Sequence, residues 1–157
     1  MTATTAASSA AALLVLGRVA LAVDFPPAGN AEYDTYYVLQ NLVTLDSGAA
    51  SSGVDLLTGI TRNVAGFGPF HDMSVECARH WTLIDNFTRG NGSCVETDRD
   101  GDNVFSTFDG QTHTLRAGTG KYKGITGQAR YAVVELRKTV GGRGAVVVRH
   151  AVSWAFR

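Results

Sequence analysis

The chain carries no net charge: its 14 Lys and Arg are matched by 14 Asp and Glu. A nucleic-acid binder normally shows a basic excess, so that class is not expected, and no net field exists to steer acidic substrates. Cysteine is scarce, with only Cys77 and Cys94, and no C-x-x-C occurs. The four histidines, His71, His80, His113 and His150, form neither H-E-x-x-H nor H-x-H. No metal and no cofactor are therefore expected. G-x-S-x-G is missing, so nothing marks a Ser-His-Asp nucleophile. The longest apolar run, residues 10–23 (AAALLVLGRVALAV), is too short to span a bilayer comfortably. Proline is rare at three residues, whereas glycine is plentiful at 18, a balance that favours many tight turns and β-structure over a helical bundle.

What is present fits one compact domain. The length is 157 residues and 45% are hydrophobic, enough to bury a core. Residues 1–22 read either as an export signal ending at Ala20-Leu21-Ala22 or as an apolar segment packed on the domain; Arg18 interrupts the run. Export would place the protein in a secreted or periplasmic setting, and its absence in the cytoplasm. Residues 23–32, with Pro26-Pro27, read as a linker, and residues 33–157 as the folded domain.

Within that domain, strand-like stretches recur at 33–46, 54–66, 73–85, 93–98, 103–110, 112–118, 122–139 and 145–157, separated by Gly, Asn and Asp turns. Residues 73–85 alternate, and in the last stretch Val148, His150, Val152, Trp154 and Phe156 share one face. Asn91-Gly92 is a strong hairpin signal, and a hairpin centred near Thr88–Gly90 is expected to set Cys77 and Cys94 roughly across from each other on neighbouring strands. One disulfide between them is the expectation, tied to the export reading, with two buried free thiols as the alternative. Asp98, Asp100 and Asp102 alternate in DRDGD, but Gly101 and Asp109 break the calcium-loop pattern, so a plain turn is preferred.

The stretch GTGKYKGITGQARY (118–131) fails both phosphate-binding patterns: Tyr122 follows Gly120-Lys121, position 115 is Leu115, and position 123 is Lys123. It resembles the G-T/S-G-x-F/Y-x-G-x-x-G-Q signature of the allene oxide cyclase family and, more loosely, the G-G-T-G-x-F of dirigent proteins. The resemblance implies an all-β fold, a single antiparallel barrel of about eight strands (allene oxide cyclase-like, calycin- or lipocalin-like), with Tyr122 packing one end. It does not carry catalysis over. The plant cyclases place a carboxylate on the first long strand, whereas YYVLQNLV here has no Asp or Glu between Thr35 and Leu45.

A barrel of this size holds side chains or one small ligand. The leading expectation is a lumen that binds a small hydrophobic molecule, with Tyr37, Trp81, Trp154 and Phe156 as ligand contacts. The alternative is a cofactor-free cyclase or isomerase in the same lumen, with Glu76, His80, His150 and Asn41 as catalytic candidates. Glu76 and His80 lie roughly 13 Å apart along an extended strand at ~3.3 Å per residue, so they could line one cavity without touching. A third expectation is an assembly role for the apolar N-terminal segment, and relatives of the dirigent type suggest a homodimer or homotrimer. No membrane span is expected in the mature chain.

Overall fold

The computed structural model describes residues 25–138 and 143–157. The expectations for residues 1–22 lie outside them. Eight strands follow in chain order: β1 Ala28–Asp46, β2 Ala50–Asn63, β3 Ser74–Ile84, β4 Phe87–Thr97, β5 Asn103–Asp109, β6 Thr112–Gly118, β7 Ile125–Lys138 and β8 Arg143–Phe156. Each pairs antiparallel with the next, and β8 closes on β1, giving an up-and-down barrel without free edges. Side-chain alternation drives this closure. In β8, Val146, Val148, His150, Val152 and Trp154 point inward, while Ala145, Arg149, Ala151 and Ser153 face out. Each large apolar side chain taken from water in this way contributes about 1.5–3 kcal/mol.

Up-and-down connectivity divides the barrel into two halves. The β1–β2, β3–β4, β5–β6 and β7–β8 hairpins gather at one end. The β2–β3, β4–β5 and β6–β7 loops gather at the other, with Phe25. The second end is plugged. Phe25 sits 4.9 Å from Tyr122, 5.2 Å from Trp154 and 5.6 Å from Phe70 by ring centroids. The contacts with Tyr122 and Phe70 are edge-on and add specific geometry to the apolar burial.

The Gly-rich stretch forms part of this plug, as the corner between β6 and β7. Gly124 has φ +85°, open to glycine but strained for other residues. Tyr122 is buried there, and its hydroxyl donates to Asp98 Oδ2 at 3.1 Å. Lys121 Nζ pairs with Asp98 (2.6 Å) and Asp100 (2.5 Å), and the Lys121 backbone N–H donates to Asp102. The DRDGD carboxylates are thus occupied in latching the β4–β5 loop to the β6–β7 corner.

Two local expectations change. First, Ala28–Glu32 belong to β1, so the linker gives way to strand earlier than its proline content suggested. Second, the β3–β4 turn is Asp85-Asn86, both at positive φ (51° and 61°), and Asn91-Gly92 lies inside β4. Asp and Asn tolerate the left-handed region and suit a two-residue hairpin. Gly92 is needed instead for close packing, since a Cβ there would overlap the Ala78 carbonyl and the Phe108 ring.

Candidate functional site in the lumen

The half of the lumen nearer the four hairpins holds a cavity of about 70 Å³. Its apolar wall comes from Tyr37 on β1, Leu57 on β2, Phe108 on β5, Val133 on β7, and Val146 and Val148 on β8. The Cys77–Cys94 disulfide completes that wall, buried and directly cross-strand, with a Cα–Cα distance of 4.1 Å. Moving the turn to Asp85-Asn86 is what brings these two cysteines into register. The Tyr37 hydroxyl donates to Cys77 Sγ at 3.6 Å, and burial raises its pKa above the ordinary phenol value. Intact-mass measurement without reductant should give a chain lighter than the all-thiol form by two hydrogens; an unchanged mass after reduction would contradict the bridge.

Polar groups interrupt the wall where the cavity meets the plugged half. His150 has no exposed surface, and neither ring nitrogen has a partner. It stacks on Tyr33 (4.6 Å between centroids) and meets His113 edge-on at 5.0 Å. His113 Nδ1 lies 3.5 Å from Ser106 Oγ. Burial pulls both imidazoles down, to about 4 for His113 and about 3 for His150, the latter helped by its histidine neighbour. Both are therefore neutral hydrogen-bonding groups at physiological pH.

Glu96 on β4 lies outside the cavity lining and connects to His150 through Tyr33, which stacks on the imidazole. It is fully buried, and Tyr33 O–H donates to its Oε1 at 3.2 Å, but Oε2 has no partner. Burial pushes it up to about 7, against the opposing effect of the Tyr33 hydrogen bond. Thr35 Oγ1 is a further buried oxygen without a partner. Buried polar atoms without partners are costly for a folded chain, so each of them calls for an explanation.

Toward the hairpin end stands a second polar group, built around Asp55 of β2. Its carboxylate is almost fully buried. Arg79 donates to Oδ2 through Nε (2.9 Å) and Nη2, Trp81 Nε1 donates to Oδ1 at 3.2 Å, and Asn41 Nδ2 donates to Oδ1 at 2.9 Å. Asn41 and Asp55 are cross-strand partners, which brings the amide of β1 onto this carboxylate. Arg79 also lines the cavity.

The sequence-based site residues separate into three groups. His150 and Tyr37 line the cavity. Asn41 and Trp81 reach it indirectly, as donors to Asp55. The others lie elsewhere. Glu76 and His80 occupy outward positions of β3, because strand parity sends them opposite to Cys77 and Arg79, so they cannot act inside the lumen. Trp154 and Phe156 do face the interior, but in the plugged half, where Trp154 Nε1 donates to the Pro26 carbonyl at 3.0 Å. They are plug residues rather than cavity contacts. Sequence reasoning missed Asp55 and Arg79 and left Glu96 without a direction. Parity with Cys94, two residues away, was the signal that points Glu96 inward.

No protein-family model matches the chain, and no curated protein matches it. Among solved structures, the chain is similar to the pterocarpan synthase dirigent protein GePTS1, at 10% identity and a TM-score of 0.47, over 84% of this chain and 88% of that one. The likeness is one of fold.

Proposed function

We propose that the chain binds one small, mainly apolar molecule in the open half of its lumen. The observation that carries this reading is His150, wholly buried at the edge of an apolar cavity with both ring nitrogens unpartnered. A ligand with a single hydrogen-bonding group would satisfy one of those nitrogens while its apolar body fills the space against Leu57, Phe108 and Val146. The cavity of about 70 Å³ is well below the ~300 Å³ at which drug-sized pockets begin. The occupant is therefore a small ring or branched chain. The disulfide is consistent with an extracellular setting.

Native mass spectrometry tests the reading. Wild-type protein should retain a small-molecule adduct, or gain one on equilibration with small cyclic ketones and alcohols. Val146→Phe, which adds a ring to the cavity, should not. Equal behaviour of the two proteins would refute lumen binding.

A second reading, a cofactor-free cyclase or isomerase, is favoured by Glu96. A buried carboxyl pushed up to about 7 is suited to general acid–base work near neutral pH. Glu96 is not among the residues lining the cavity, so on this reading it acts through Tyr33, and Glu96→Gln would bind the same molecule and convert it more slowly. The catalytic roles considered for Glu76 and His80 do not return, since both face outward. An assembly role for the apolar N-terminal segment concerns residues outside the described ones.

A further inference from the structure

We propose that Arg79 is a specificity-determining residue of the lumen cavity: its guanidinium selects small molecules that carry a carboxylate in addition to the group met by His150. This rests on the lumen-binding reading and adds to it the charge class of the ligand.

The first observation is the charge of the cavity wall. Among the described residues that line it, Arg79 is the one charged side chain, and no Asp or Glu is present. His113 and His150 contribute neutral imidazoles. The hydroxyls of Tyr37 and Tyr131 already donate, to Cys77 Sγ and to the Gly110 carbonyl. Asp55, the ion-pair partner of Arg79, is almost fully buried and does not line the cavity. A molecule in the cavity therefore meets the positive member of this pair and not the negative one. Arg79 lies on the hairpin side of Cys77 along β3, whereas His150 stands where the cavity meets the plugged half. Its charge also reaches Tyr131 on β7, the strand opposite β3, where it opposes the rise that burial gives the phenol pKa. About a third of the Arg79 side chain is exposed, so an anion can reach it from solvent.

The second observation is how Asp55 is held. Its Oδ2 accepts from Arg79 Nε and Nη2, which is the side edge of the guanidinium fork. Nη1, on the end edge, has no acceptor among the described residues. A guanidinium takes a carboxylate through two parallel N–H donors, so the end edge is a second seat of the same kind. Asp55 does not depend on Arg79 alone, because Trp81 Nε1 and Asn41 Nδ2 both donate to its other oxygen, Oδ1. A ligand carboxylate on the end edge and Asp55 on the side edge each lie nearer to the shared positive charge than to one another. The attraction therefore exceeds the repulsion. A ligand so placed has its carboxylate at Arg79, its apolar part against Leu57 and Val146, and its second polar group at His150.

The probes are levulinate, a short keto acid, and levulinamide, its neutral isostere, with cyclopentanone as the reference. Each is titrated into the full chain at neutral pH and followed by NMR. Levulinate should bind wild type about tenfold more tightly than levulinamide, the gain from one charged hydrogen-bonded contact. Its binding should shift and saturate the Arg79 Nε–H resonance. In Arg79→Gln the ratio of the two affinities should fall to about one, since the charged donor is gone. Arg79→Lys keeps a countercharge for Asp55 but loses the fork, so it serves if the glutamine variant does not fold, and its ratio should also fall several-fold. Equal affinities of levulinate and levulinamide for wild type would overturn selection by Arg79, and so would tighter levulinate binding that leaves the Arg79 resonance unmoved. In both cases binding of cyclopentanone would leave the lumen reading intact. Failure of all three probes to bind would overturn that reading, and this one with it.

Discussion

Replacing Asp55 by alanine will destabilise the barrel by about 3 kcal/mol, the lower end of the range for breaking a buried ion pair. The substitution leaves three donors from three different positions, Arg79, Trp81 and Asn41, facing a void where one carboxylate served them all. Arg79 is the one that can partly recover, because about a third of its side chain is exposed and can turn toward water. Trp81 cannot: its indole packs tightly over Gly53 on the neighbouring strand. Arg79→Ala should cost at least as much, because it leaves the buried Asp55 carboxylate with two neutral donors and no countercharge. Urea unfolding at neutral pH measures both. A cost below about 1 kcal/mol for Asp55→Ala, the size of one ordinary hydrogen bond, would mean that the cluster is not a buried unit.

The second large effect is a pH dependence that belongs to Glu96. Folding raises its pKa from 4.5 to about 7, chiefly through burial. Between those values the native state holds a proton that the unfolded chain releases, so stability falls as pH rises. The contribution is fully present below about pH 4.5 and is lost as pH passes through about 7, a change of about 3 kcal/mol. His113 and His150 act in the opposite sense. Their folded values, about 4 and about 3, lie below the ordinary 6.5, so stability falls as pH drops below 6.5. The wild-type profile mixes these effects, but the difference between Glu96→Gln and wild type isolates one of them. That difference should shift by about 3 kcal/mol in favour of the variant between pH 4.5 and pH 8. A difference that stays constant across this range would show that Glu96 ionises as it does in the unfolded chain.

Much of the fold was legible in local chemistry. Alternating apolar positions in β3 and β8, turns rich in Gly, Asn and Asp, and the glycine corner before β7 all point to an antiparallel barrel. The candidate site was legible only in part. Strand parity gives the side of the sheet a residue faces, but not its height along the barrel. Trp154 and Phe156 show this limit: both face inward, yet they sit in the plug. Glu76 and His80 show what parity could have decided. With Cys77 inside a bridge between strands, its immediate neighbours on β3 must face outward, and so must His80 three residues on. Asp55 was hidden for a different reason. A lone acid in VDLLTG gives no local sign of burial, and its partners Asn41, Arg79 and Trp81 lie on two other strands that only the register brings together.

The central claim, that the open half of the lumen is a binding site centred on His150, is tested most directly by the histidine side chains themselves. In a ¹⁵N-histidine-labelled chain titrated with cyclopentanone at pH 6, the ring resonances of His150 and His113 should shift together and saturate. His80, on the outer wall, should not move. Saturable shifts confined to His80 and His71, or none at all while the ligand binds, would place the site outside the lumen and contradict the account.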